Sequence, residues 1–242
     1  MSGLPLYKEV KEKLIQALAA GEWTTGDKLP VEGDLARRYG VGLATLRAAV
    51  GELAAAGILS RRQGKGTFVS EHTNQSRLYR FFNLVRRDGA RRLTTRAIVS
   101  LRRDRPGAAE TDLLRLSRYR NRDVWRLRST FALDGGRVGV NDSVLPVGLF
   151  PRLTARGVGD PDRTLYALYQ SNYNINVVSV AADLHAERAP RDIAVLLGVK
   201  AGHPLLKILR RALTYEDVPV ELRTSWVNTA DCSFHVDQGS TV

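Results

Sequence analysis

The chain of 242 residues contains one cysteine, Cys232. A lone thiol closes no intramolecular disulfide, so packing must hold the fold, and the composition suits a reducing, cytoplasmic setting. No run approaches the ~20 apolar residues that span a bilayer. The opening MSGLPLYKEV lacks the apolar core of a secretory leader. The four histidines, His72, His185, His203 and His235, are scattered and none has HExxH spacing, so no metal site is expected. Neither a GxSxG elbow nor a paired-carboxylate arrangement occurs, and Gly64-Lys65-Gly66-Thr67 lacks the glycine spacing and following helix of a phosphate loop. These absences argue against an enzyme and against a bound cofactor. No internal repeat or low-complexity tract is found.

What the chain has in excess is positive charge, +12 in total. The excess points to a polyanionic partner. Residues 1–70 hold 10 basic and 7 acidic side chains, residues 71–130 hold 16 and 6, and residues 131–242 hold 11 and 12. The middle segment therefore carries most of the surplus, through arginines such as Arg77, Arg80, Arg86, Arg87, Arg91 and Arg92. Such a run serves either as added phosphate contacts or as a solvated surface.

Residues 29–69 read as a winged helix-turn-helix. A helix over Val31 to Tyr39 is followed by a turn at Gly40-Val41-Gly42, a second helix over Leu43 to Ala56 and a stop at Gly57. Two short strands joined by Gln63-Gly64-Lys65-Gly66 make the wing. Leu46, Val50 and Leu53 give the second helix one apolar face. The other carries Ala44, Arg47, Ala48 and Gly51, small residues around one long donor that can reach base edges. Arg61, Arg62 and Lys65 suit a wing laid along a DNA backbone. Ahead of this unit, Tyr7 to Ala20 is a helix with Val10, Leu14 and Leu18 on one face.

Leu6-Tyr7, Gly26-Asp27-Lys28-Leu29-Pro30, Glu32, Leu35-Ala36, Tyr39-Gly40-Val41, Thr45-Leu46-Arg47, Leu53, Gly57 and Gly64-Lys65-Gly66-Thr67-Phe68-Val69 together resemble the DNA-binding domain of GntR-family transcription regulators. The resemblance implies DNA contacts from Thr45 and Arg47 on the helix and from Gln63, Gly64 and Lys65 at the wing tip. The chain departs from the family at Val31 and Gly33, where Ser and Arg are usual, and at Gly42-Leu43, where Ser-Arg is usual. Of three arginines that contact DNA in the family, only Arg47 remains. Val31 also gives up an N-cap hydroxyl, a loss of about 1 kcal/mol.

Residues 71–77 read as a linker. Beyond it, Leu78 to Arg86 is a helix or strand, Ala97 to Leu101 a strand, Ala108 to Leu116 a helix, and Val124 to Leu133 a strand ending in Asp134-Gly135-Gly136. Val138 to Leu145 returns as a strand, and Thr164 to Tyr173 is a helix. Asn176 to Leu184 and Leu205 to Tyr215 are strands around the helix Pro190 to Leu197, and Val220 to Asn228 is the last strand. Hairpins with helices between them imply an α+β domain with a mainly antiparallel sheet. The expected architecture is thus a DNA-binding domain over 1–70, the linker, and a second domain over 78–242.

The order of those elements, with DGG after an arginine-rich strand, LPVGLFPRL, TLYALY, GHPLLKILR and PVELRTSW, resembles the UTRA effector domain of the HutC subgroup of GntR regulators. That resemblance implies a chorismate-lyase-like fold that binds a small metabolite and pairs subunits into homodimers. It implies effector contacts at Thr95, Arg96, Asn141, Tyr166 and Glu221. Strand alternation places Arg223 and Ser225 on the face of Glu221. Family members that bind sugar phosphates carry arginines where Ser129 and Phe131 stand here, so a phosphosugar is not expected. A carboxylate, or a mixed amine and carboxylate, fits better. The function expected is a cytoplasmic, ligand-responsive regulator, a repressor on a palindromic operator. A weakly specific, nucleoid-type DNA binder is the alternative.

Overall fold

The computed structural model describes residues 5–70, 84–86, 94–160 and 163–235. The proposed linker, the Asp88-Gly89 turn and most of the element expected over Leu78 to Arg86 lie outside the described residues. Residues 5–70 form the winged helix-turn-helix: α1 Leu6–Ala19, α2 Glu32–Tyr39, α3 Leu43–Ala55, then β1 Leu59–Arg62 and β2 Gly66–Val69. Each helix forms where its apolar period lies, and Val10, Leu14, Leu18, Leu35, Leu46, Val50 and Leu53 share one core. Gly40, with φ at +66°, ends α2 in the left-handed cap that an L side chain resists. Val31 is the N-cap of α2 and makes no side-chain capping bond, as the missing hydroxyl requires.

The second unit is a six-stranded, wholly antiparallel sheet in the order β4-β5-β6-β9-β8-β7. Its strands are β4 Thr94–Asp104, β5 Val124–Leu133, β6 Gly136–Pro146, β7 Ser179–Arg188, β8 Pro204–Leu213 and β9 Pro219–Val227. A separate small ladder joins β3 Leu84–Arg86 to β10 Cys232–Phe234. The helices are α4 Ala108–Leu113, α5 Ala155–Val158, α6 Leu165–Tyr173 and α7 Arg191–Leu197. One sheet face packs under α5 and α6 through Leu127, Leu145, Leu165, Leu168 and Tyr169. The opposite face meets α7 through Val140, Ile193 and Leu197, and the α4 region through Leu114, Leu116 and Val124.

Several expected boundaries change. The strand expected from Asn176 begins at Ser179 and runs to Arg188, because Asn176 is buried in side-chain hydrogen bonds that a ladder position would not permit. Tyr215 leaves β8 for a 3-10 turn, Tyr215–Asp217, in which Glu216 and Asp217 hold positive φ. The short helix α5 and strand β10 were not expected. Within the sheet, Gly139 lies directly under the Phe131 ring, so that an added Cβ would collide with it. Gly139→Ala is expected to destabilise the protein by about 1–3 kcal/mol in urea unfolding, through displacement of that ring.

Candidate functional site

Two groups of side chains stand out, one on α3 and the wing, the other beneath α6. Burial of Leu46, Ala49 and Val50 turns Ala44, Arg47 and Ala48 outward on α3. Thr45 is half-buried beside them, while Gln63, Gly64 and Lys65 are exposed at the wing tip, where Gly64 has φ at +71°. Arg47 donates from Nε to Glu32 at 2.7 Å, and Arg61 donates to the Arg47 carbonyl. Glu32 thus holds the long donor of α3 against α2. Val31 and Leu43, which replace polar residues of the family pattern, are exposed at the same end of the helix pair.

Beneath α6 the sheet presents a polar layer. Cross-strand registers align Ser129, Asn141 and Ser225 in one row and Ser143, Arg223 and Arg210 in the next. Ser225 donates to Asn141 at 2.6 Å. Arg223 donates from Nε to Glu221 Oε1 at 2.7 Å, and both residues are shielded from water, with Glu221 only 1% exposed. The Arg223 guanidinium also lies over the Tyr166 ring at 5.5 Å. Glu221 Oε2 and the Tyr169 hydroxyl are buried with no hydrogen-bond partner among the described residues.

Burial alone would lower the Arg223 pKa, but the adjacent Glu221 carboxylate outweighs it and raises the value. For Arg210 the balance goes the other way: burial lowers its pKa, and the like charge of Arg223 adds to that. The Tyr169 phenol is pushed well above its ordinary value, first by burial and then by the Glu221 charge. These are the signs of charges held in low dielectric.

The expected ligand residues therefore divide. Asn141, Tyr166, Glu221, Arg223 and Ser225 come together. Arg96 lies beside them, but its guanidinium donates to the carbonyls of Val158, Asp160 and Arg163, tying down the segment between α5 and α6. Thr95, its neighbour on β4, is exposed on the opposite face, as strand alternation demands. Arg210 was not foreseen. The signal was present in GHPLLKILRR, where Ile208, Arg210 and Ala212 alternate on the inner face, but the doubled arginine disguised which one turns inward.

Phe131 fills the other family arginine position with a ring packed among Leu133, Ile208 and Val227. A cavity of about 390 Å³ opens near the irregularity in β4, lined by Ser100, Arg126, Arg128 and Ser143 among others. Its arginines are engaged, Arg126 by Asp104 and Glu110, Arg128 by Asp142 and Asp192, so it reads as a braced part of the sheet. Among the described residues no cluster of His, Cys, Asp and Glu could hold a metal ion, and no helix is long and apolar enough to cross a membrane.

A second polar group joins the two units. Gln170 on α6 donates to the Ser70 carbonyl at 3.1 Å and also to Asn176. Asn176 in turn donates to the Tyr215 hydroxyl at 3.2 Å and accepts from Thr25. Tyr215 completes the core of the winged unit, against α1 and α3. This seam begins one residue after Tyr169 of the buried layer.

Replacing Glu221 by Gln leaves Arg223 in the interior without its counter-ion. The change is expected to cost about 3–5 kcal/mol in urea unfolding, a loss typical of breaking a buried pair from one side.

Comparison with known proteins agrees with this geometry. The family model "Bacterial regulatory proteins, gntR family" matches residues 6–69, and that of the UTRA domain matches residues 90–231. A protein of Escherichia coli (strain K12) described as a fructoselysine utilization operon transcriptional repressor is 28% identical over 217 residues, covering 90% of this chain and 88% of that one. A histidine utilization repressor of Pseudomonas putida is 38% identical over 87 residues, or 36% of this chain and 35% of its own. Among solved structures, the ligand-binding domain of a protein assigned to the GntR-family regulators of Bordetella bronchiseptica superposes with TM-score 0.61 at 28% identity, covering 66% of this chain and 99% of that one. With a winged helix-turn-helix and an effector-binding sheet domain each matched in order, the chain belongs to the gntR family of bacterial regulatory proteins, as a DNA-binding transcription regulator with a UTRA domain and not an enzyme.

Proposed function

We propose that this regulator is a cytoplasmic, homodimeric repressor. It holds a palindromic operator and releases it when a small carboxylate metabolite enters the layer beneath α6. The observation that carries this reading is the seam of Ser70, Gln170, Asn176, Tyr215 and Thr25, which ties the wing and α1 to the helix that roofs the ligand site. A ligand that moves Tyr166 or Tyr169 moves Gln170 with them, since α6 is one rigid element. The division at residues 70 and 78, with the linker between, goes with this reading.

Arg47 is the base-reading residue, assisted by Thr45, with Gln63, Gly64 and Lys65 on the backbone. Asn141, Tyr166, Glu221, Arg223 and Ser225 line the effector site, while Arg96 braces its roof and Thr95 stands outside it. A phosphosugar is disfavoured by Ser129 and by the Phe131 ring, which leave a dianion without its forked donors. The relatives named above serve fructoselysine and histidine operons, and both compounds carry a carboxylate. Pairing of two copies is supported by β7, an edge strand whose residues 181–188 are exposed on both faces, with Leu184 and Leu209 open beside it. Such an edge invites an antiparallel partner, and a two-fold pair presents two equal α3 helices to two half-sites.

A footprint on DNA flanking the protein's own gene, with excess random DNA, tests the reading. Protection of a short palindrome is expected, and Arg47→Ala should weaken it by about 10- to 100-fold. Protection that vanishes with competitor and falls steeply with salt for every sequence would favour the weakly specific, nucleoid-type binder. The seam has its own test in a gel shift. Gln170→Ala with Asn176→Ala should keep operator affinity within about threefold of wild type while reducing the effector's effect on it to less than about twofold. An undiminished effector response would remove the seam from the mechanism.

A further inference from the structure

We infer that the effector is a small monocarboxylate of total charge −1 that carries a neutral hydroxyl donor, and that Arg210 clamps its carboxylate together with Arg223. The inference rests on the ligand site proposed above and narrows what that site takes. Arg210 on β8 and Arg223 on β9 stand directly opposite each other in the ladder. Like charges so placed repel, and more strongly away from water. Glu221 lies two residues before Arg223 on the same face and pairs with it at 2.7 Å. These three groups sum to +1. Arg96 adds nothing to the account, because three carbonyl oxygens surround it and the Asp160 charge acts on it.

The sign of that sum sorts ligands by class. A carboxylate bridging the two facing guanidiniums brings the layer to neutrality and turns a repulsion into a pair of forked hydrogen bonds. A phosphate dianion overshoots, leaving the layer negative. A zwitterionic amino acid changes nothing, leaving the excess positive charge buried. Hydrogen bonding then fixes the rest of the molecule. Glu221 Oε2 is buried without a partner among the described residues and can only accept, so the ligand must offer it a donor. An ammonium there would restore the excess charge, whereas a hydroxyl would not. The Tyr169 hydroxyl, also buried and unpartnered among the described residues, and the row of Ser129, Asn141 and Ser225 provide further neutral partners for hydroxyl groups.

The test uses the full-length protein, with thermal shift and calorimetric titration against three sets of probes. Gluconate, glycerate and 3-hydroxybutyrate represent the hydroxy acids, serine and alanine the zwitterions, and glucose 6-phosphate and glycerol 3-phosphate the dianions. At least one hydroxy acid should raise the melting temperature and the other two sets should not. Arg210→Gln should weaken that binding at least about tenfold, and Arg210→Lys, which keeps the charge but loses the fork, should recover part of it. Unliganded Arg210→Gln should melt no lower than wild type, since it removes a buried repulsion, and that melt also shows whether the variant folds. Binding confined to zwitterions or dianions, binding by none of the probes, or hydroxy-acid binding indifferent to Arg210→Gln overturns the inference. Where a probe of another class binds and Glu221→Gln abolishes it, the site stands and only the class falls. Where binding ignores both Glu221→Gln and Arg210→Gln, the site itself falls.

Discussion

A carboxylate and guanidiniums taken out of water together set the terms for the second half of this protein. Glu221 and Arg223 lie in the centre of the sheet, where an unpaired charge is costly, and one strand away Arg210 faces Arg223. An apolar row at these positions would pack as well and fold more readily. A sheet that keeps three ionised groups there is held in a state that a matching ligand can improve. The polar layer is therefore better understood as a receptor than as a fold stabiliser. The aromatic roof of Tyr166 and Tyr169 serves the same end, sealing the charges from water so that their attraction for a ligand is not diluted.

Ligand chemistry matters to DNA because the roof is shared. Gln170 lies on the same short helix as Tyr166 and Tyr169, and its amide reaches the backbone at the end of the wing strand. From the other side, β9 starts at Pro219, just after the turn that sends Tyr215 into the core of the winged unit. Two routes thus run from the buried layer to α1 and the wing, one through α6 and one through the start of β9. Both are packed elements with hydrogen-bonded ends, the kind of contact that has discrete arrangements and does not bend gradually. At the DNA face, Glu32 holds Arg47 until a base edge competes for it, so that reading a sequence exchanges one partner for another.

Much of this was legible in the chain. The apolar period of α1 and α3 and the glycine at position 40 left little choice, and strand alternation in β9 sorted Glu221, Arg223 and Ser225 onto one face before any coordinates. What escaped depended on contacts between distant segments. Gln170 meets Ser70 across 100 residues and Thr25 meets Asn176 across 151, and no local pattern announces such partners. Arg210 was hidden because two adjacent arginines in β8 look equally able to face inward, and only the register with β9 decides. Adjacent residues of β4 were grouped by resemblance although alternation had to separate them, so Thr95 points away from the layer that Arg96 braces.

The central claim is that one ligand site and one DNA face are coupled through a shared wall. Calorimetric titration of the identified effector onto the free protein, and then onto the protein saturated with operator, measures that coupling directly. Thermodynamic linkage requires the operator to weaken effector binding by the same factor by which the effector weakens operator binding, about 5- to 150-fold for a typical regulator. Equal effector affinity with and without the operator would contradict the claim, whatever else the two sites bind.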